Sequence, residues 1–357
     1  MTDHSLRDLG ENRLVARFRA LASASLGPDV VVGPGDDAAV LSPLRQECAR
    51  WAGAEAPATA PAAPLLLLAC DMMVEGVHFR RQWAAAWQIG WKAMAQNISD
   101  IAAMGGAPFA AVASIAAPGE LPEGFAVDIS DGLVAAASRY GASLVGGDLV
   151  GSTGPLVVDV AITGWVQRDQ LLLRRGATPG DAVLVTGSLG AAGAGLAVLE
   201  HDLREPQSSP LAEVLRAHHE PQPRLTEARA IATSQLASAM MDLSDGLADD
   251  LPRLCAESGV GALIHADAIP ISPACSWVAH RLNLSDLSLA LSGGEDYELL
   301  ITCRQQAVPE LQRVVLGATG TALTPIGEIV AGEGITLVDA EGQYLPLSRG
   351  FRHFGEA

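Results

Sequence analysis

Seven aspartates carry the chemical interest of this sequence. Asp36 and Asp37 stand in Gly35-Asp36-Asp37, and Asp71 follows the apolar run Leu65 to Cys70. Asp100 closes Asn97-Ile98-Ser99-Asp100, Asp148 ends Gly146-Gly147-Asp148, and Asp242 and Asp245 belong to Asp242-Leu243-Ser244-Asp245-Gly246. An aspartate beside glycine is ordinarily a solvated turn residue, and each of these read alone is that. As a set they differ, because several directly follow apolar strands, at the sheet edge where α/β proteins build their sites. Two unit charges about 4 Å apart repel by about 4 kcal/mol at an effective dielectric of about 20. Several carboxylates therefore share a pocket only where cations hold them. Mg²⁺ suits the task, since it takes oxygen ligands and also binds phosphate oxygens. The expected chemistry is ATP- and Mg²⁺-dependent phosphoryl transfer built on aspartates.

Other phosphate-handling devices are scarce. The loop Gly-x-x-x-x-Gly-Lys-Ser/Thr is absent, as are the protein-kinase signatures. Gly187-Ser188-Leu189-Gly190 and Gly193-Ala194-Gly195 follow a strand and open a helix, which could cradle a phosphate on backbone amides. The plainer reading of those glycines is tight helix packing. Lys92 is the only lysine, so a lysine clamp has one candidate, and the plainer reading of Lys92 is a solvated helix face.

These residues need elements to place them. The chain has 357 residues, 49% hydrophobic and 18% charged, enough for a large core in one big domain or two ordinary ones. The net charge of -18 disfavours nucleic acid and membrane surfaces as partners. The five cysteines are scattered with no Cys-x-x-Cys pair, which fits a reducing, cytoplasmic setting rather than a disulfide framework or a zinc site. The start of the chain is polar, without a signal core, and the apolar run at 62–70 is too short to span a bilayer. Leu6 to Leu21 reads as an amphipathic helix. Ala84 to Met104 is a strong one, with Trp87, Trp91, Met94, Ile98 and Ile101 on one face and Lys92, Gln96, Asn97 and Asp100 off it. Gly105-Gly106 and Pro108 end it. Residues 42–64, rich in Ala and Pro, read as a flexible insertion. Strands are expected at Leu65–Cys70, Phe109–Ala116, Ser143–Val145, Leu156–Val166, Asp181–Gly187, Gly261–Ala266, Leu289–Leu291 and Leu299–Thr302, with a helix over Gly190–Leu199 and a polar, Pro-rich stretch at 201–223. Pro252 falls in an expected helix and should kink it or mark its first turn. The echo of Ile129-Ser130-Asp131-Gly132-Leu133 in Leu243-Ser244-Asp245-Gly246-Leu247 is better explained by chance than by duplication, because the flanks differ. The whole reads as two α/β or α+β halves, residues 1–168 and 169–357.

The motifs, in order, resemble thiamine-monophosphate kinase. They are Gly35-Asp36-Asp37-Ala38-Ala39-Val40, Cys70-Asp71 with Val77-His78-Phe79, and Trp91-Lys92-Ala93-Met94-Ala95-Gln96-Asn97-Ile98-Ser99-Asp100. Gly146-Gly147-Asp148, Asp242-Leu243-Ser244-Asp245-Gly246-Leu247, Ser292-Gly293-Gly294-Glu295-Asp296-Tyr297-Glu298-Leu299 and Gly350-Phe351-Arg352-His353-Phe354 extend the match along nearly the whole chain. Single motifs are shared with aminoimidazole ribonucleotide synthetase, selenophosphate synthetase and hydrogenase-maturation proteins. The resemblance implies a two-domain PurM-like architecture. Its N-terminal domain binds ATP and Mg²⁺ and pairs with a second copy into a dimeric β-barrel, and its C-terminal domain is α/β layered. It implies transfer of the ATP γ-phosphate to thiamine monophosphate, giving thiamine diphosphate, in a cytoplasmic homodimer. By that resemblance Asp37, Asp71, Asp100, Asp148, Asp242 and Asp245 ligate several Mg²⁺ ions. Gly147, Asp148, Arg174 and Ser244 contact ATP, and His78, Glu295 and Phe351 contact thiamine monophosphate. Ala69-Cys70 stand where family members often carry Ser-Thr, so the Cys70 position could offer a metal only its backbone carbonyl. The transfer is expected to be direct and in line, with no residue acting as nucleophile. The rivals are another ATP-using member of the superfamily and a non-catalytic nucleotide-binding scaffold.

Overall fold

The computed structural model describes residues 30–42, 64–205 and 209–347, with Ala16, Arg19, Ala20 and Ser23. The expected helix over Leu6–Leu21, the body of the Ala/Pro insertion and Phe351 lie largely or wholly outside the described residues.

The N-terminal half runs β1 (Val30–Val32), β2 (Ala39–Leu41), β3 (Leu65–Val74), α1 (Ala86–Ala103), β4 (Ala107–Pro118), α2 (Glu123–Arg139), β5 (Ser143–Ser152) and β6 (Val157–Val166). The C-terminal half runs β7 (Asp181–Thr186), α3 (Ala191–Glu200), α4 (Ser209–His219), α5 (Leu225–Ser234), β8 (Ala237–Asp242), α6 (Leu247–Ser258) and β9 (Gly261–His265). It continues through α7 (Pro273–Leu282), α8 (Asp286–Ser292), β10 (Leu299–Arg304), α9 (Val308–Thr319), β11 (Leu323–Val330), β12 (Gly334–Val338) and β13 (Tyr344–Leu345).

Each half holds one mixed sheet. The first orders its strands β1-β2-β3-β6-β4-β5, antiparallel except for β4 beside β5. The second orders them β13-β12-β9-β11-β7-β10-β8, with β12 and β9 its parallel pair. One face of the first sheet is closed by α1 and α2. Along β3 the inward residues Leu65, Leu67 and Met73 are buried, while Leu68 and Met72 on the alternate face are exposed. Phe109, Val112, Val150 and Trp165 are exposed as well. The sheet is open among the described residues, not closed into a barrel.

α1 and α2 cross at two glycines. A Cβ on Gly90 would stand 1.9 Å from the Ile129 carbonyl oxygen, and one on Gly132 would stand 2.0 Å from that of Trp87. Ser130-Asp131-Gly132 thus lies inside a helix, whereas Ser244-Asp245-Gly246 is a strand-to-helix loop, so the two similar strings build different structures. Gly105, at φ +73°, ends the chain's run through α1 in a conformation that favours glycine.

Three local expectations need correction, and the one concerning Pro252 is narrowed. Leu289–Leu291 lies in helix α8, not in a strand; Ser285 caps that helix by accepting from the Ser288 amide. β5 extends past the expected Val145 to Ser152, because β4 supplies a parallel partner along its length. The polar stretch after residue 200 contains α4, whose Leu211 and Val214 are buried. Pro252 sits in the second turn of α6, neither ending nor opening it. No helix among the described residues is long and apolar enough to cross a membrane.

Candidate active site

Three chain segments deliver carboxylates to one point. The turn after β1 carries Asp37, the last turn of α1 carries Asp100, and β8 ends on Asp242. One carboxylate oxygen of each lies within 4.8 Å of the others. Asp242 is only 2% exposed and accepts a 2.5 Å hydrogen bond from the Ser99 hydroxyl. Asp37 Oδ1 accepts from Arg174 Nη2 at 2.6 Å, and its buried Oδ2 has no hydrogen-bond partner. Burial, then the charges of Asp71, Asp242 and Asp37, pushes the Asp100 carboxyl well above the usual carboxylate range. Burial and Asp37 do the same to Asp242, against the opposing Ser99 hydrogen bond.

Further acids surround the trio. Asp71 lies inside β3, which runs on to Val74 rather than ending at Cys70 as expected, and its amide is held by Asn97 Oδ1 at 3.1 Å, so α1 fixes that strand as well as supplying Asp100. The Asp71 carboxyl faces water, but the protein ringing it still desolvates it. Together with Asp245, Asp159 and Asp37, that raises it to about 6. Asp36 also rises to about 6, mainly by burial. It holds the loop, accepting from the Arg174 amide at 3.2 Å. Asp245 is steered by Arg253, whose Nη1 donates to it at 2.5 Å and to buried Asp250 at 2.8 Å. Asp250 in turn accepts from the Asp245 and Gly246 amides. An orphaned carboxylate oxygen among mutually repelling acids has the chemistry of a hard-cation site.

Residues 35–166 match the family model of AIR synthase related protein, N-terminal domain, and residues 178–340 match the C-terminal domain of the same family. Thiamine-monophosphate kinase of Salmonella typhimurium is 36% identical over 352 residues, covering 97% of this chain and 98% of that protein. The chain belongs to the thiamine-monophosphate kinase family. The Mycobacterium tuberculosis H37Rv member is 34% identical over 357 residues, covering 99% of this chain and 94% of its own. A solved structure described as "AaThiL complexed with AMPPCP and TMP" superposes with a TM-score of 0.80 at 28% identity, covering 99% of this chain and all of that one. The two-domain PurM-like architecture is therefore that of the thiamine-monophosphate kinase family.

The remaining positions divide. Arg174 is drawn into the site, paired with Asp37 and half-buried. Ser244 adjoins it, its carbonyl accepting from the Glu295 amide at 2.7 Å. Gly147 and Asp148 lie apart from the trio on edge strand β5. There Asp148 is exposed, and its Oδ1 accepts from the Leu149 amide. Gly147 is close-packed, since a Cβ would stand 1.9 Å from the Ala113 carbonyl oxygen. The Cys70 side chain also stays outside, because it follows the strand alternation onto the opposite face from Asp71. Its thiol is raised by burial and by Asp159 and Asp71. His78 Nδ1 accepts from the Val74 amide at 3.0 Å, closing the turn after β3 and leaving Nε2 as the nitrogen that carries the proton in the neutral ring.

One expectation fails here, and at the glycine-rich turn the plainer reading, tight packing, holds over the phosphate cradle. Lys92 is no solvated helix residue: it is 3% exposed, with Nζ 2.6 and 2.7 Å from the two Glu295 oxygens. Gln96 and Asn97 are buried with it, because α1 is sandwiched between its own sheet and the C-terminal half. The glycine-rich turn before α3 does not offer its amides to a phosphate, since Asp296 already accepts from Gly190 at 2.7 Å and Ala192 at 3.1 Å. Its glycines serve close approach instead: a Cβ on Gly193 would meet the Gly293 backbone at 2.6 Å. Lys92, Ser99, Asn97, Asp250 and Arg253 are site residues that motif reading missed. Their signal was faint: Lys92, Asn97 and Ser99 sit in the Asp100 motif but off the apolar stripe.

Proposed function

We propose that this chain phosphorylates thiamine monophosphate to thiamine diphosphate, taking the γ-phosphate of ATP. It is a thiamine-phosphate kinase, an ATP-binding transferase of thiamine biosynthesis. The observation that carries this reading is the meeting of Asp37, Asp100 and Asp242, from three distant segments, within a chain similar to thiamine-monophosphate kinases over nearly its full length.

Asp37, Asp71, Asp100, Asp242 and Asp245 would hold Mg²⁺, and Asp148, with an exposed carboxylate, is open to an outside ligand. When bound, the metal neutralises phosphate charge and aligns the transferred group. The protein's own part is positional. Arg174 brings a fixed cation beside Asp37 for the triphosphate. Ser244 and Gly147 offer backbone and hydroxyl contacts to ATP. His78, Glu295 and Phe351 bind the thiamine end. The acceptor phosphate is anionic near neutral pH, so direct in-line attack needs no general base, and no aspartate is used as a nucleophile. The exposed apolar face of the first sheet supports pairing with a second copy into the dimeric barrel. The cysteine pattern supports a cytoplasmic setting. The domain division at 168/169 falls between the two sheets.

The test is incubation with ATP, Mg²⁺ and thiamine monophosphate. Thiamine diphosphate and ADP should appear in equal amounts, with no product in EDTA and no labelled protein trapped from γ-labelled ATP. ATP turnover without thiamine diphosphate would refute the substrate, and a labelled protein would refute direct transfer.

A further inference from the structure

The least expected side chain in the molecule is its one lysine. Lys92 is buried in the joint between the two halves, and its ammonium group meets both oxygens of Glu295, at 2.6 and 2.7 Å. Glu295 is itself constrained. Its backbone has φ +60°, uncommon for a residue with a side chain, and its amide donates to the Ser244 carbonyl. His218 Nδ1 stands 3.3 Å from Glu295 Oε2 but lacks hydrogen-bond alignment. Burial and Lys92 both hold His218 toward its neutral form. Burial alone would raise the Glu295 carboxyl, yet Lys92, with help from His218, holds it down at about 2. Lys92 is thus the cation that keeps this half-buried carboxylate ionised.

Seven residues along α1 stands Ser99, which donates to Asp242. Seven residues are about two helical turns, so the two side chains leave α1 on the same side, roughly 10.5 Å apart along its axis. One stripe of one helix therefore grips two carboxylates of the C-terminal half. Asp242 belongs to the acidic trio, and Glu295 is the carboxylate assigned to the thiamine end.

We propose that Lys92 is a positioning residue that acts through Glu295, so that α1 works as a ruler fixing the thiamine-binding carboxylate relative to the metal-binding trio. This rests on the thiamine-phosphate kinase reading. Removing the ammonium group leaves a half-buried carboxylate without its cation, which is then driven to protonate or to turn toward water. The damage then falls at the Glu295 end of the stripe, while Ser99 still secures the Asp242 end.

The experiment compares wild type, Lys92→Met and Ser99→Ala in steady-state kinetics with both substrates varied. Wild-type enzyme is assayed first: if it makes no thiamine diphosphate, the functional reading fails, independently of Lys92. With that established, Lys92→Met should raise KM for thiamine monophosphate about 10- to 100-fold, the range typical of lost supporting contacts. KM for ATP should stay within about 3-fold of wild type. Ser99→Ala should show the opposite split. Lys92→Arg should recover much of the loss, because it restores the charge. Should Lys92→Met not fold, Lys92→Met/Glu295→Gln removes the stranded charge, and its KM for thiamine monophosphate should match that of Glu295→Gln alone, because Lys92 acts only through Glu295; a further rise would overturn the proposal. Equal changes in both KM values, or Lys92→Met kinetics identical to wild type, would overturn the proposal.

Discussion

The trio of aspartates is a store of electrostatic strain, and its members should behave unlike ordinary buried residues. Asp100 is pressed from three sides by Asp71, Asp242 and Asp37, with burial the leading cause of its raised carboxyl. Replacing it with Asn keeps the shape and removes one charge. In EDTA, Asp100→Asn should melt higher than wild type by about 2–4 °C, the shift expected for about 1 kcal/mol in a chain of this size. The same change should lower kcat/KM for ATP by about 100-fold or more, as loss of a positioned electrostatic partner does. Differential scanning calorimetry and an ADP-release assay read the two effects. A variant that loses both stability and activity would mean that Asp100 is a structural acid. Arg224 illustrates the contrasting case. It donates to both Glu298 oxygens, with Thr186 adding a third bond at 2.7 Å. That carboxylate is satisfied, and nothing about it calls for a metal.

At the scale of elements, α1 is the part on which the site depends. It supplies Asp100, fixes Asp71 through Asn97, reaches Asp242 through Ser99 and Glu295 through Lys92. Its seat against α2 requires Gly90 and Gly132. Gly132→Ala would force a Cβ to within 2.0 Å of the Trp87 carbonyl oxygen. Overpacking of that kind costs about 1–3 kcal/mol, and the shifted helix should also weaken Mg²⁺-dependent turnover. Urea unfolding and activity should fall together, and an unchanged midpoint would show that the crossing is loose. α1 also marks how far the sequence was legible. Its existence and ends followed from the periodicity of Trp91, Met94, Ile98 and Ile101 and from Gly105, because burial against one sheet writes that pattern. Its polar residues were misread, because Lys92 is buried against the other half and Asn97 against its own sheet, where it holds the Asp71 amide. Side-chain period cannot distinguish such buried polar residues from solvated ones. Two of the acids were legible for a similar reason: Asp71 and Asp242 follow apolar runs, although only Asp242 ends its strand. The strand alternation that turns Cys70 away, and the capture of the α3 amides by Asp296, depend on contacts between residues far apart in the chain. The strand expected at Leu289–Leu291 failed because a short apolar run in a short helix has no period to reveal it.

Over the whole molecule two properties combine: an open apolar sheet face and a heavy negative charge. Phe109 and Trp165, with ring centroids 5.8 Å apart, are 59% and 52% exposed on the first sheet. Covering that face with a second copy should give a mass in solution twice that of the chain, and Trp165→Asp should shift it toward monomer in light scattering. A monomeric wild type would refute the pairing. The acidic site makes the second prediction, which concerns pH. Asp36 and Asp71 are raised to about 6 in the folded chain against 3.8 for the ordinary side chain, and burial also holds Asp100 and Asp242 well above the ordinary value. As pH rises from about 4 the unfolded chain releases these protons first, so it binds fewer of them than the folded chain, and stability must fall through that window. The contribution of these groups is fully present below the unfolded value and lost as the folded groups are forced to ionise without cations. Mg²⁺ reverses the sign, since it binds the ionised carboxylates and releases protons on doing so. About 10 mM Mg²⁺ should therefore raise Tm more at about pH 8 than at about pH 5.5, where part of the cluster is still protonated. Calorimetry in EDTA and in Mg²⁺ at both pH values measures the difference. An equal shift at the two values would mean that these aspartates do not bind the ion as a group, and the phosphate-handling role assigned to them would fail with it.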